Sequence, residues 1–150
     1  MNLARARSIG RKRRRRGALW PMPVRETDLG HIYAEITVRS LSRSGKSWRG
    51  RALVDTGATD TFLPSRVLRG IGIAPAGHRT YELADGTEPE LPIGFGVVEV
   101  QGRAAGCTLV FAGHAEEPLL GVTVLESTGF CIDPQRERLM PRLPKRKRNR

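Results

Sequence analysis

The residues best suited to chemistry lie in one short segment, Ala52-Leu53-Val54-Asp55-Thr56-Gly57-Ala58-Thr59. An apolar strand here runs directly into an acid. A carboxylate at the buried end of a strand costs free energy unless it is hydrogen-bonded or partnered. Thr56 and Gly57 suggest how it is held: Gly lets the backbone turn sharply and bring N–H groups to the carboxylate, and the Thr hydroxyl supplies a further bond. An acid held in this way can cap the turn after the strand, accept a phosphoryl group, or take up and release protons. The phosphoryl reading needs a nucleotide- or phosphate-binding α/β unit, and no segment of the chain reads as one. Asp60 either lines the same cleft or caps the turn that follows.

The elements that must position this acid are mostly strands. Ile32, Ala34, Ile36 and Val38 alternate with Tyr33, Glu35, Thr37 and Arg39, which predicts a half-buried strand. A polar loop, Ser40 to Ser47, leads to a second strand, Arg49 to Asp55. Thr61-Phe62-Leu63 predicts a short strand stopped by Pro64, with Ser65 capping a brief helical turn through Leu68. Arg79 to Ala84 and Thr87 to Ile93 flank Asp85-Gly86, a hairpin-turn dipeptide. Phe95 to Gln101 and Arg103 to Ala112 predict another hairpin around Gly102. Leu119-Leu120 reads as a short buried strand, core whatever the function. Thr123 and Glu126 offer a capping box for a helix ending near Gly129. Phe130-Cys131-Ile132 and Arg138-Leu139-Met140, joined at Asp133-Pro134, close an all-β domain with one or two short helices. Trp20 and Trp48 lie in segments too polar to assign.

Composition agrees. With 150 residues, 39% of them apolar, the chain suits one domain with a modest core, which a partner subunit would help to stabilise. Seventeen Gly, ten Pro and only 5% aromatics favour short strands and tight turns over a helix bundle. The net charge of +11 is concentrated at the ends. Residues 5–16 and 142–150 together hold fourteen of the twenty-six Lys/Arg and no acid, so the stretch between them, with twelve bases against fifteen acids, is net negative. The expected organisation is a basic, disordered arm over 1–17, a folded domain over 18–141 and a basic, disordered tail over 142–150. Such arms imply non-specific, salt-sensitive affinity for nucleic acid.

Cys107 and Cys131 read as small buried hydrophobes rather than a disulfide framework. His31, His78 and His114 have no ligand spacing, so no metal is expected. The basic start leads to Ala18-Leu19-Trp20, which Pro21 and Pro23 cut short of a signal sequence, and no run reaches the length of a membrane span. The expectation is a cytoplasmic protein in a reducing compartment, not engaged with a membrane.

Leu53-Val54-Asp55-Thr56-Gly57-Ala58 is a pair of apolar residues followed by Asp-Thr-Gly-Ala. Leu119-Leu120-Gly121 is a later apolar pair followed by Gly and the short helix Val122 to Thr128. In this order, with hairpins at 79–93 and 95–112 between them, the chain resembles the retropepsin-like aspartic peptidases of single-domain microbial type over most of its length. The resemblance implies a closed β-barrel that works as a two-fold homodimer on a peptide or protein substrate, with no cofactor. By it, Asp55 is catalytic, Thr56 hydrogen-bonds across the dimer axis, and Gly57 contacts substrate backbone. Ala58, Asp60 and a flap tip at Asp85-Gly86 extend the substrate-binding surface, and Leu119, Leu120 and Gly121 lie behind the site. The flap departs from the viral pattern, which is Gly-rich and apolar. Here Tyr81 to Thr87 is acidic and is followed by Glu88 and Glu90, which would favour basic peptides, the chain's own arms among them.

The chemistry that the resemblance implies is physically coherent. Two close carboxylates cannot both ionise, so one deprotonates water while the other protonates substrate. This chain has one such acid: Ser127-Thr128-Gly129 lacks the carboxylate of a second motif. A two-fold dimer is therefore required, with both Asp55 residues at its axis. Two other readings use the same residues. One is a catalytically idle dimer of this fold serving as a protein-interaction module. The other is a nucleic-acid-associated basic protein whose β domain only dimerises.

Overall fold

The computed structural model describes residues 30–42, 45–114 and 116–143. The basic arm 1–17, Trp20 and the tail beyond Leu143 lie outside these residues. The first strand, β1 (Tyr33–Ser40), buries Ala34, Ile36 and Val38 and leaves the alternate residues partly exposed, as the period of two requires. It pairs antiparallel with β2 (Ser47–Asp55), Tyr33 opposite Leu53. After β2 come β3 (Thr61–Pro64), α1 (Ser65–Gly70), β4 (Gly77–Thr80), β5 (Glu90–Val100) and β6 (Arg103–Ala112). The chain continues through β7 (Leu119–Gly121), α2 (Val122–Thr128), β8 (Phe130–Asp133) and β9 (Arg138–Pro141).

Six strands close a barrel in the order β1-β2-β7-β3-β6-β5, with β5 returning to β1. Closure satisfies the sheet edges that would otherwise expose unpaired backbone. One edge of β5 serves two neighbours. Its first residues pair with β4, Ile93 opposite Gly77, and its later ones pair with β1, Val98 opposite Val38. β4 is thus an added edge outside the ring. The interior is filled by fully buried Ile36, Val38, Leu63, Val98, Leu109 and Leu120, each worth about 1.5–3 kcal/mol of transfer free energy. A smaller cluster of Phe62, Ile93, Val110 and Ala112 sits beside it, with Ala58, Tyr81, Leu91 and Leu119 packed against it. β8 and β9 form a separate two-stranded sheet.

The all-β class and the element order follow the pattern of the sequence, but several details differ. The predicted break between 93 and 95 is absent, and β5 is continuous. Gly94 marks a close approach there: a Cβ would lie 2.9 Å from Ile73 and 3.0 Å from the Ala74 carbonyl oxygen. The hairpin strands predicted to reach Ala84 and to resume at Thr87 are shorter, ending at Thr80 and starting at Glu90. Pro89 has no N–H to return the bond it accepts from the Tyr81 N–H at 3.0 Å, so the ladder stops there. Asp85-Gly86 is therefore part of a longer tip. Asp85 Oδ1 accepts from the Thr87 N–H at 3.0 Å, and Leu83 N–H donates to the Thr87 carbonyl at 2.8 Å.

Neither predicted side-chain cap forms. Ser65 Oγ donates instead to the Ala112 carbonyl at 2.8 Å, and the position before α1 is held by Pro64. No Thr123–Glu126 capping box starts α2, whose end at Gly129 is where the sequence places it. Trp48 packs partly buried against the main core, and both cysteines are only half-buried.

Leu120 is fully buried on the middle residue of a strand held between β2 and β3. Leu120→Ala is expected to lower unfolding free energy by about 2–5 kcal/mol, measured as a reduced urea midpoint at unchanged m-value.

Candidate active site

Residues 55–60 link β2 to β3. Asp55, the last residue of β2, lies opposite Gly121 in the parallel pairing of β2 with β7. Its carboxylate is half-buried, and Oδ1 accepts the Gly57 N–H at 2.8 Å. The backbone then turns, with Ala58 N–H donating to the Asp55 carbonyl at 3.2 Å. Gly57 does not take a positive φ. It is needed for a different reason than a sharp turn: a Cβ there would sit 3.1 Å from Asp55 Oδ1 and crowd the carboxylate. The expected bond from the Thr56 hydroxyl to Asp55 is not made among the described residues; Thr56 is exposed.

The loop is braced from behind by β7 and α2. A Cβ on Gly121 would overlap the Asp60 carbonyl group and lie 2.8 Å from the Thr59 carbonyl oxygen, so only glycine allows the two backbones to approach this closely. Gly121 N–H donates to Oγ1 of fully buried Thr61 at 3.1 Å. Val122 N–H donates to the Ala58 carbonyl at 2.8 Å, and Thr123 N–H to the Thr59 carbonyl at 3.2 Å. Two of the N–H groups that a helix leaves free at its start are thereby spent on the loop. The N-cap position is Gly121, which has no side chain to cap with, so these loop carbonyls take that place. Leu119, Leu120 and Gly121 are brought to the loop together, by strand pairing and by these bonds.

Asp60 is 6% exposed, and its carboxylate has two partners that neither sequence alternative named. Oδ2 accepts from the Arg79 guanidinium at 2.7 Å and from the Tyr81 hydroxyl at 2.7 Å. The Tyr81 ring packs edge-on to Phe62, centroids 5.2 Å apart. Burial, and then the hydrogen bond to Asp60, push the Tyr81 hydroxyl up to about 12. The Asp60 charge raises Arg79 as well. Burial, and then the same charge, push the Cys107 thiol up to about 12, which leaves it a poor nucleophile. Sequence reading missed Thr61, Arg79 and Tyr81. The one available signal was that 79 and 81 are two apart near a strand end and so share a face. Asp85 and Gly86 lie in the exposed tip, where their hydrogen bonds go to Thr87 and Leu83. Among the described residues no group of three or more His, Cys, Asp or Glu could hold a metal ion, and no helix is long and apolar enough to cross a membrane.

The family model for gag-polyprotein aspartyl proteases matches residues 44–127, and the chain belongs to this family. Its closed barrel with two short helices is the retropepsin-like fold. Among solved structures, the chain is similar to the protease of simian foamy virus (mac), at 20% identity, over 63% of this chain and 91% of that one, TM-score 0.45. It is also similar to a foamy viral protease–reverse transcriptase solved with an RNA/DNA hybrid, at 12% identity, over 64% of this chain and 12% of that one, TM-score 0.47. No curated protein matches the sequence.

Two outcomes follow from this geometry. Gly121→Ala is expected to destabilise the fold by about 1–3 kcal/mol or more through overpacking, read by thermal unfolding. Tyr81 should also impose an alkaline limit. Its folded-state pKa lies above the ordinary value of 10, so its stabilisation is complete below about 10 and is lost as pH rises toward 12. Stability measured across that window should fall less steeply in Tyr81→Phe than in the parent.

Proposed function

We propose that the protein is an aspartic endopeptidase whose active unit is a homodimer, with Asp55 of each copy supplying half of the catalytic pair. The observation that carries this reading is the position of Asp55. It is a single acid at the end of a barrel strand, with one oxygen bound by a backbone N–H and the adjoining Thr56 and Gly57 exposed. One half-buried carboxylate per chain can accept a proton or donate one, but peptide hydrolysis without a covalent nucleophile needs both functions at once.

In the dimer the two carboxylates share one proton, because their like charges oppose a second ionisation. The ionised one takes a proton from water as its oxygen attacks the peptide carbonyl carbon. The protonated one hydrogen-bonds to the carbonyl oxygen as that oxygen gains charge. Return of a proton to the amide nitrogen then lets the C–N bond break and restores the shared-proton state. Thr56 contributes the cross-axis hydrogen bond, and Gly57 and Ala58 present backbone to the substrate. The hairpin from β4 to β5, with Asp85 and Gly86 at its tip, closes over the bound chain and excludes water. Its acids, Glu82, Asp85, Glu88 and Glu90, favour substrates with basic side chains.

The test is cleavage of an unstructured protein at mildly acidic pH by the full chain. Activity should be blocked by a statine-type inhibitor and should fall by at least about 10²–10⁴-fold in Asp55→Asn, while sedimentation still finds a dimer. A protein that stays monomeric under all conditions, or activity that survives Asp55→Asn, would defeat the proposal.

A further inference from the structure

The hairpin stem has few independent anchors. Of the four residues of β4, His78, Arg79 and Thr80 are exposed and Gly77 is half-buried, so the strand brings almost no apolar surface to the core. It pairs on one side with β5, over the register from Gly77–Ile93 to Thr80–Glu90. Beyond it, residues 82–88 are all exposed. A segment with little burial and solvent-facing hydrogen bonds is expected to open locally at low cost. Two contacts oppose that opening, the Tyr81 ring against Phe62 and the joint hold of Arg79 and Tyr81 on Asp60.

Asp60 is immobile on its other side. Its carbonyl group is crowded against Gly121, and the residues flanking it, Thr59 and Thr61, are bonded to Thr123 and Gly121. It also belongs to the same short loop as Asp55. The carboxylate is nearly excluded from water, at 7% side-chain exposure, whereas the Arg79 side chain is 49% exposed. The acid is therefore the fixed post and the arginine the part able to detach. A buried carboxylate oxygen that loses its donors carries a desolvation penalty, so the two bonds from the stem should be made together in the ordered hairpin.

We infer that Asp60 is a positioning residue that fastens the β4–β5 hairpin to the loop bearing Asp55, through the Arg79 guanidinium and the Tyr81 hydroxyl. It couples order in residues 81–89 to the geometry of the catalytic loop. Substrate capture by the hairpin then depends on a side chain that does not itself touch the reacting atoms. The kinetic part of this inference rests on the peptidase reading above; the coupling itself does not.

The experiment has two arms, both on the full chain in the assembly it forms. Amide hydrogen exchange is followed for peptides covering 77–93 and, as a control, 103–112. Tyr81→Phe keeps the ring on Phe62 and removes only the hydroxyl, and Asp60→Asn removes the charge. Each is expected to speed exchange in 77–93 by roughly tenfold, with 103–112 unchanged. Arg79→Gln should act in the same direction, and Arg79→Lys should restore part of the protection. Steady-state cleavage of a fluorescently labelled, denatured casein forms the second arm. A loosened hairpin should raise KM several-fold with a smaller change in kcat, whereas a merely structural defect would lower the active fraction and hence kcat at constant KM. Exchange unchanged in 77–93, exchange raised equally in 103–112, or a fall confined to kcat would each overturn the inference. If the parent chain cleaves nothing, the peptidase reading fails, and the exchange arm alone decides whether Asp60 holds the hairpin.

Discussion

The arrangement around Asp55 depends on how closely two backbones can approach at Gly121. Residues 55–57 are not covered by side chains from the front: Asp55 is half-buried, and Thr56 and Gly57 are exposed. The loop is held from the back instead, by N–H groups of β7 and α2 that reach the carbonyls of Ala58 and Thr59 and the hydroxyl of Thr61. Such bonds require the two backbones to lie closer than any side chain at 121 would allow. The contact satisfies two sets of polar groups at once: the free N–H groups at the start of α2 and the carbonyls of an irregular loop.

The barrel explains why that seam falls where it does. β7 is only three residues long, yet it lies between β2 and β3, the strands that enter and leave the loop. Parallel pairing sets Asp55 opposite Gly121, so the acid and the glycine behind it are aligned by strand register. Leu120, one residue earlier, is buried in the barrel and locks that register, because a slip of one residue would turn it outward. The same three residues thus serve the core and the site.

The other side of the loop is tied to a weakly anchored edge. Asp60 faces inward to Arg79 and Tyr81 instead of outward to solvent, and its negative charge is also felt at Cys107. A loop gripped by backbone bonds on one side and by a charged side-chain contact on the other has one rigid face and one that can yield.

Much of this was legible in the residues. Apolar–polar alternation marked β1, the turn at Gly102 marked the β5–β6 hairpin, and the apolar run ending in Asp-Thr-Gly-Ala singled out Asp55 because an acid at a buried strand end is costly unless it is hydrogen-bonded or partnered. Local pattern also placed the end of α2 at Gly129. The failures share one cause. Ser65, Thr123 and Glu126 were assigned to local caps, but the Ser65 hydroxyl donates to the distant Ala112 carbonyl, and carbonyls of the 55–60 loop accept the first N–H groups of α2. Asp60 was given a local or cleft role, yet its partners are nineteen and twenty-one residues away. By itself the sequence determined most of the strands and the candidate acid, since these follow from apolar periodicity and from an acid set at the end of an apolar strand. Only the tertiary structure decided which carbonyls brace the loop and which side chains hold Asp60, because hydrogen-bond partners across a barrel are chosen by strand register and close approach, which no local pattern encodes.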